Sequence, residues 1–292
     1  MTEVQPSTAW PGGAPAAAEG RRATETTSEP AIRTAELTRR FRDLVAVDAV
    51  SIDVHAGEIF GLLGPNGAGK STMIKMLTTL LPPTSGRAWV AGFDIASEPT
   101  LVRRHIGYVP QALSADGALT GYENLLVSSK LYGLPRVERP RRIGEALELV
   151  GLSDAADQLV RQYSGGMIRR LEIAQAMLHR PTVLFMDEPT VGLDPVARRA
   201  VWEHVERLRN MFGTTILITT HYMDEADDLA DRVAVMHQGR VAVVGTPGEL
   251  KTAVGAQATL DDVFMQFTGA SIETGGSYRD VLRTRRTARR LS

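Results

Sequence analysis

A nine-residue stretch, Gly64-Pro65-Asn66-Gly67-Ala68-Gly69-Lys70-Ser71-Thr72, constrains this chain more than any other. It joins a short apolar run, residues 59–63, to a helix expected over residues 71–81. Gly64, Gly67 and Gly69 let the backbone turn tightly enough for its N–H groups to converge on phosphate oxygens. Lys70 adds a charge suited to β- and γ-phosphates, and Ser71 offers a hydroxyl to Mg²⁺. The following helix directs the positive end of its dipole at the same anion. The run before the loop is short and apolar enough to lie inside a parallel sheet. On average residue usage, G-x-x-x-x-G-K-[ST] arises by chance in roughly one chain in a hundred of this size. The flanking strand and helix patterns make chance rarer still. The pattern therefore predicts a nucleoside triphosphate cradled by residues 64–72.

The remaining pattern predicts what carries the loop. Residues 1–30 are rich in Pro, Ala, Gly, Ser and Thr without periodicity, which predicts a disordered extension with Trp10 as a solvated aromatic. Strand candidates follow at 32–37, 50–54, 59–63, 88–91 and 106–109. Residues 115–180 read mainly as helices. Leu125, Leu126, Leu131, Leu147, Val150, Leu171, Ile173 and Ala174 recur at helical spacing, interrupted at Gly133-Leu134-Pro135 and Gly151. Strands resume at 183–186, 215–219 and 233–237, the last paired with 240–244 across Gln238-Gly239. A nucleotide-binding sheet with an inserted helical lobe, about 112–180, is the economical architecture. Beyond Gly269, Arg279, Arg283, Arg285, Arg286, Arg289 and Arg290 stand against Glu273 and Asp280. That tail reads as solvated, with contact to anionic lipid headgroups as the sharper alternative.

Composition removes several function classes. The net charge of −1 gives no global attraction to nucleic acid. With no cysteine, disulfides, Fe–S clusters and thiolate zinc sites are excluded. There is no run of 18 apolar residues, so the chain is not expected to span a membrane by itself. No basic segment followed by an apolar one heads it, so no secretion signal is expected.

Two further stretches carry chemistry. Residues 183–188, VLFMDE, form a buried strand ending in two carboxylates at the edge where α/β sheets place ligands. Asp187 suits a Mg²⁺ ion held directly or through water, and Glu188 suits polarisation of a water attacking the γ-phosphate. Residues 163–167, YSGGM, place Ser164, Gly165 and Gly166 at a helix start, either as a second anion site or as a plain N-cap.

Taken together, the motifs resemble those of the ATP-binding subunit of ABC transporters. The likeness covers roughly residues 31–250 in one order: GPNGAGKST at 64–72, YVPQ ending at Gln111, YSGGM at 163–167, VLFMDEP at 183–189, GLDP at 192–195 and LITTH ending at His221. The resemblance implies an α/β fold: a P-loop NTPase (RecA-like) core with an antiparallel β-subdomain and an inserted α-helical subdomain. It implies ATP and Mg²⁺, and two such chains paired head to tail, here expected to be a homodimer. Ser164, Gly165 and Gly166 would meet the γ-phosphate held by the partner chain. Asp194 would couple the two sites, and Gln111 would sense Mg²⁺. His221 would contact the γ-phosphate, and Phe41 would stack on adenine, where tyrosine is commoner.

The family's general signature reads LSGGQ. YSGGM followed by an Arg-rich helix is similar to the branch that drives ABC-2-type exporters, including those for daunorubicin and doxorubicin. TLDDVFMQFTG at 259–269 is similar to a tail motif of that branch and also reads as an amphipathic helix, with Leu260, Val263, Phe264 and Phe267 on one face. The resemblance thus implies an ATPase at the cytoplasmic face of the cell membrane, peripheral to an ABC-2-type permease, exporting a drug-like or lipophilic substrate. Lipid or polysaccharide export and a soluble regulatory ATPase are the alternatives.

Overall fold

The computed structural model describes residues 29–269. The readings on Trp10, on nearly all of the N-terminal extension and on the arginines beyond residue 269 lie outside them. The chain opens with β1 (Ile32–Phe41), β2 (Leu44–Val50), β3 (Asp53–Val54) and β4 (Ile59–Leu63). Then come α1 (Lys70–Leu77), β5 (Ser85–Val90), β6 (Phe93–Asp94), α2 (Pro99–His105) and β7 (Ile106–Val109). The helical lobe follows with α3 (Gly121–Leu131), α4 (Arg139–Leu149) and α5 (Gly165–Met177). The chain returns through β8 (Val183–Asp187), α6 (Pro195–Phe212), β9 (Thr215–Thr220), α7 (Met223–Leu229), β10 (Arg232–His237) and β11 (Arg240–Gly245), and ends in α8 (Pro247–Val254) and α9 (Leu260–Thr268).

Six strands form one sheet in the order β11-β10-β4-β9-β8-β7, parallel from β10 to β7. Its central strands β4, β8 and β9 are buried along their whole length because both faces are covered. Phe60, Leu62, Phe185 and Leu217 point into one core with α1 and the second sheet. Ile59, Leu184, Met186, Ile216 and Ile218 point into another, against α5 and α6. The second sheet is antiparallel, β2-β1-β5-β6, with β3 also paired to β1. The predicted fold, an α/β core with an antiparallel subdomain and an inserted helical lobe, is thus observed.

Three local expectations are corrected, and one hairpin is added. The strand expected at 50–54 is broken. Thr34 Oγ1 donates to Val50 O at 3.0 Å and accepts from Ile52 N at 2.9 Å, so a side chain takes the place of part of the ladder, of which Thr34 N to Ile52 O at 2.9 Å remains. The chain then rejoins β1 as β3. The hairpin from β1 to β2 turns at Arg42-Asp43, where no turn residue had marked it, with Arg42 at φ 49°. Helix α1 stops at Leu77 rather than 81: Thr79 takes φ 61°, and Leu80 N and Leu81 N both fold back onto Lys75 O at 2.8 and 2.9 Å. In α9, Leu260, Val263 and Phe264 are buried against Leu63, Val233 and Val235, whereas Phe267 is exposed. That core also takes Leu250 from α8, so the packed unit continues past residue 250.

The lobe has its own core, built from Leu125, Ile143, Leu147, Val160 and Leu171. Helix α5 serves both cores: Leu171 and Ala174 face the lobe, while Ile173, Ala176 and Met177 face the sheet. Just after α5, His179 Nε2 donates to Ile106 O at 3.0 Å, and its ring stacks on Tyr132 at 3.8 Å. Burial lowers the His179 pKa to about 4, with His105 adding to the shift and the Ile106 bond opposing it. The native imidazole is therefore neutral where an unfolded chain has begun to bind a proton. Stability is unaffected by this residue above pH ~6.5 and falls as the pH drops from there toward about 4, by about 3 kcal/mol. In His179→Phe, which keeps a ring on Tyr132, urea unfolding across that range should show a flatter pH dependence than in the parent.

Candidate functional site

The parallel register brings three loops to one edge. Leu63 pairs with Thr220, and Asp187 with Thr219, so the chain leaves β4, β8 and β9 at the same level. The residues leaving there are Gly64, Glu188 and His221. The loop after β4 closes over a cavity of about 630 Å³ lined by Phe41, the residues from Asn66 to Thr72, Gln111 and Glu188.

Each glycine of the loop has a separate reason to be glycine. A Cβ on Gly64 would lie 2.2 Å from Met236 O, and one on Gly69 would lie 2.3 Å from Ala46 O. Gly67, at φ 81°, faces open space, so its conformation rather than its neighbours demands glycine. Gly239 N donates to Ala68 O at 2.9 Å, and Asp48 N to Gly239 O at 2.8 Å. The β10–β11 turn, with Gln238 at φ 48° and Gly239 at φ 82°, thereby buttresses the loop from below.

Lys70, 4% exposed, donates to Gly64 O at 2.7 Å and Pro65 O at 3.1 Å, and lies 3.1 Å from Glu188 Oε1. The other oxygen, Glu188 Oε2, accepts from Gln111 Nε2 at 3.2 Å and lies 3.4 Å from His221 Nδ1, without hydrogen-bond alignment. Three residues scattered over the chain thus meet on one carboxylate. Glu188 itself sits at φ 47°, a conformation uncommon for a side-chain-bearing residue. Thr219 holds it there, accepting the Glu188 N–H with its carbonyl at 3.1 Å and its hydroxyl at 2.9 Å. Backbone strain of this kind concentrates at functional positions.

Asp187 Oδ1 accepts from Ser71 Oγ at 3.0 Å and from Thr219 Oγ1 at 2.7 Å. Ser71 and Asp187 are hard oxygen donors, the kind Mg²⁺ prefers when phosphates and water supply its remaining ligands. Among the described residues no group of three His, Cys, Asp or Glu gathers elsewhere as a metal site. Burial, helped by the Asp187 charge, pushes the Tyr108 phenol up to about 12. Burial also raises the Glu225 carboxyl, which accepts from Thr190 at 2.8 Å and Thr220 at 3.3 Å and so ties the loop after Glu188 to that before His221.

Ser164, Gly165, Gly166 and Asp194 do not line this cavity. Ser164 caps α5, its Oγ accepting from Met167 N at 3.2 Å. Ser164 and Gly165 are exposed, whereas Gly166 is buried and a Cβ there would meet Ala197 Cβ at 2.9 Å. Asp194 caps α6, accepting from Val196 N and Ala197 N at 2.9 Å each. Tyr163 explains the departure from leucine: it fills the lobe core and donates to Ala155 O at 2.6 Å, with Gly121 leaving room for its hydroxyl. Phe41 is not a core residue. It is 41% exposed at the cavity rim, with Arg39 stacked 4.6 Å from its ring centroid. Sequence reasoning missed Leu44, Val45, Ala46 and the Gln238-Gly239 turn as cavity walls. The only signal was the turn itself, since their approach to the loop is long-range.

The family described as ABC transporter matches residues 47–191. The chain is 50% identical over 226 residues to the daunorubicin/doxorubicin resistance ATP-binding protein DrrA of Streptomyces peucetius, covering 77% of this chain and 68% of that one. It is 42% identical over 226 residues to the linearmycin resistance ATP-binding protein LnrL of Bacillus subtilis (strain 168), covering 77% and 71%. Among solved structures, an ATP-binding subunit of an ABC transporter superposes with a TM-score of 0.72 at 31% identity, over 81% of this chain and 99% of that chain.

The two loop glycines should respond differently to alanine. Gly67→Ala meets only the left-handed penalty, about 1–2 kcal/mol. Gly69→Ala must also displace Ala46 O and should unfold at clearly lower urea concentration. Equilibrium unfolding without nucleotide measures both.

Proposed function

The chain belongs to the ATP-binding subunits of ABC transporters, and on that premise we propose that it drives drug export by hydrolysing ATP at the Glu188 site. As a member of that family it binds and hydrolyses ATP and works with a membrane permease. Among the described residues no helix is long and apolar enough to cross a membrane. The observation that carries the reading is the meeting of Lys70, Gln111 and His221 on Glu188 beside the phosphate loop.

In this reading Phe41 offers its ring to adenine, and backbone N–H groups between Asn66 and Thr72 receive the phosphates with Lys70. Ser71 and Asp187, with Gln111, would hold Mg²⁺, which would supply neutralisation of the phosphate charge. Glu188 accepts the proton of the attacking water, and His221 orients that water and the γ-phosphate. Catalysis is positioning and electrostatics rather than covalent chemistry. Ser164 and Gly165 are exposed on this chain and absent from its own cavity, which supports their service to a second copy in a head-to-tail homodimer. The permease is of the ABC-2 type, the subunit lies at the cytoplasmic face, and nucleic acid is not a partner. The resistance named for relatives at 42–50% identity supports an antibiotic-like, lipophilic cargo, selected by the permease.

Glu188→Gln should abolish steady-state hydrolysis while retaining ATP binding, and ATP should then trap a dimer visible by size-exclusion chromatography. Unchanged turnover would remove Glu188 as the base. Gly165→Asp should leave nucleotide binding by the single chain intact yet prevent ATP-dependent dimers and turnover, because it sets a carboxylate against the partner's phosphate. Gly165 is a cleaner probe than Gly166, whose Cβ would also collide with Ala197. Drug-stimulated ATPase activity of the complex with its permease would establish the cargo class.

A further inference from the structure

Residues 110–115 carry Gln111 from the end of β7 toward the lobe without regular structure, and the side chains from Gln111 to Ser114 are exposed. Apolar burial therefore does not fix this part of the loop. Its backbone does. Arg169, one turn into α5, donates to Pro110 O at 2.7 Å and Gln111 O at 2.8 Å. Glu172 accepts from Ser114 N, from Ser114 Oγ at 3.1 Å and from Ala115 N at 3.3 Å. The two side chains also pair with each other at 2.9 Å, each 2% exposed.

A buried ion pair standing alone gains little over its desolvation cost. This pair also meets five polar groups of the loop, which an apolar pair of similar shape would leave unpaired. We infer that Arg169 and Glu172 are positioning residues that clamp the Gln111 loop to the helix bearing Ser164–Gly166, so that the two phosphate-side elements travel as one when the lobe turns. Their polarity is fixed by what they hold. On the loop the guanidinium meets only carbonyls and the carboxylate meets only donors. The inference rests on the roles proposed above for Gln111 and the α5 start.

The chain contains no cysteine, so a single label can be introduced cleanly. A spin label at Ala112→Cys in the full chain reports loop motion without nucleotide. In Glu172→Gln and Arg169→Lys the label should gain a fast-motion component while unfolding remains cooperative and ATP affinity stays within about twofold. Turnover should fall about ten- to a hundredfold at unchanged KM, as expected when a reacting group is misplaced rather than removed. A label as immobile in a folded Glu172→Gln protein as in the parent overturns the clamp. If that variant does not fold, Arg169→Lys, which keeps the cation, carries the same readouts. A freed label with unchanged turnover supports the clamp and instead removes Gln111 from the reaction.

Discussion

The register of three adjacent parallel strands underlies everything else in this molecule. Leu63 lies opposite Thr220, and Thr219 opposite Asp187, so the loops after β4, β8 and β9 open at one height. Slipping any of them by one residue would invert its side chains between the two cores and carry Lys70, Glu188 or His221 to the wrong level. The apolar burial on both faces that sets this register is also what sets the site. Stability and chemistry are in that sense one constraint, and Thr219 embodies it. From a central strand it fixes the Asp187 carboxylate with its hydroxyl and the Glu188 backbone with its carbonyl and hydroxyl.

Charge is used differently inside and outside. Most ion pairs, such as Arg199–Glu203 and Arg141–Glu145, are exposed and of the kind that contributes little to stability. Several buried charges sit at joints: Arg169–Glu172 under the Gln111 loop and Lys70 with Glu188 at the phosphate loop, while the half-buried Glu225 links the segments following β8 and β9. At such positions hydrogen bonds hold backbone geometry that apolar packing alone leaves undefined.

Much of this was legible in the sequence. The phosphate loop, VLFMDE and LITTH each combine an apolar run with polar residues at its end, and local pattern suffices to read them. The Gln238-Gly239 hairpin was equally plain. Phe41 could be assigned to the rim by motif, though not by burial reasoning, which treats aromatics as core residues. What escaped were features decided by distant partners. Thr34 breaks the strand at 50–54 from a neighbouring strand. Arg42-Asp43 turns without glycine because two paired strands impose the bend. Thr79 ends α1 in a conformation its residue type does not advertise. Phe267 lies on the apolar stripe by spacing, yet the sheet edge beneath α9 covers only Leu260, Val263 and Phe264. Arg169 and Glu172 look like ordinary surface charges at helical spacing until the loop they grip is seen.

Helix α5 bears on how this fold can be recombined. Its sequence neighbours place it in the inserted lobe, but half of its apolar side chains complete the core of the sheet. A chimera that exchanged residues 112–180 with a relative would import the inner face of α5 into a sheet evolved against another one. Exchange ending before residue 164 would keep that face but sever the lobe core through Leu171 and Ala174. No cut around α5 respects both cores. Lobe and sheet must therefore diverge together, and new couplings to a permease are more readily acquired on α3, which contributes no side chain to either core of the sheet.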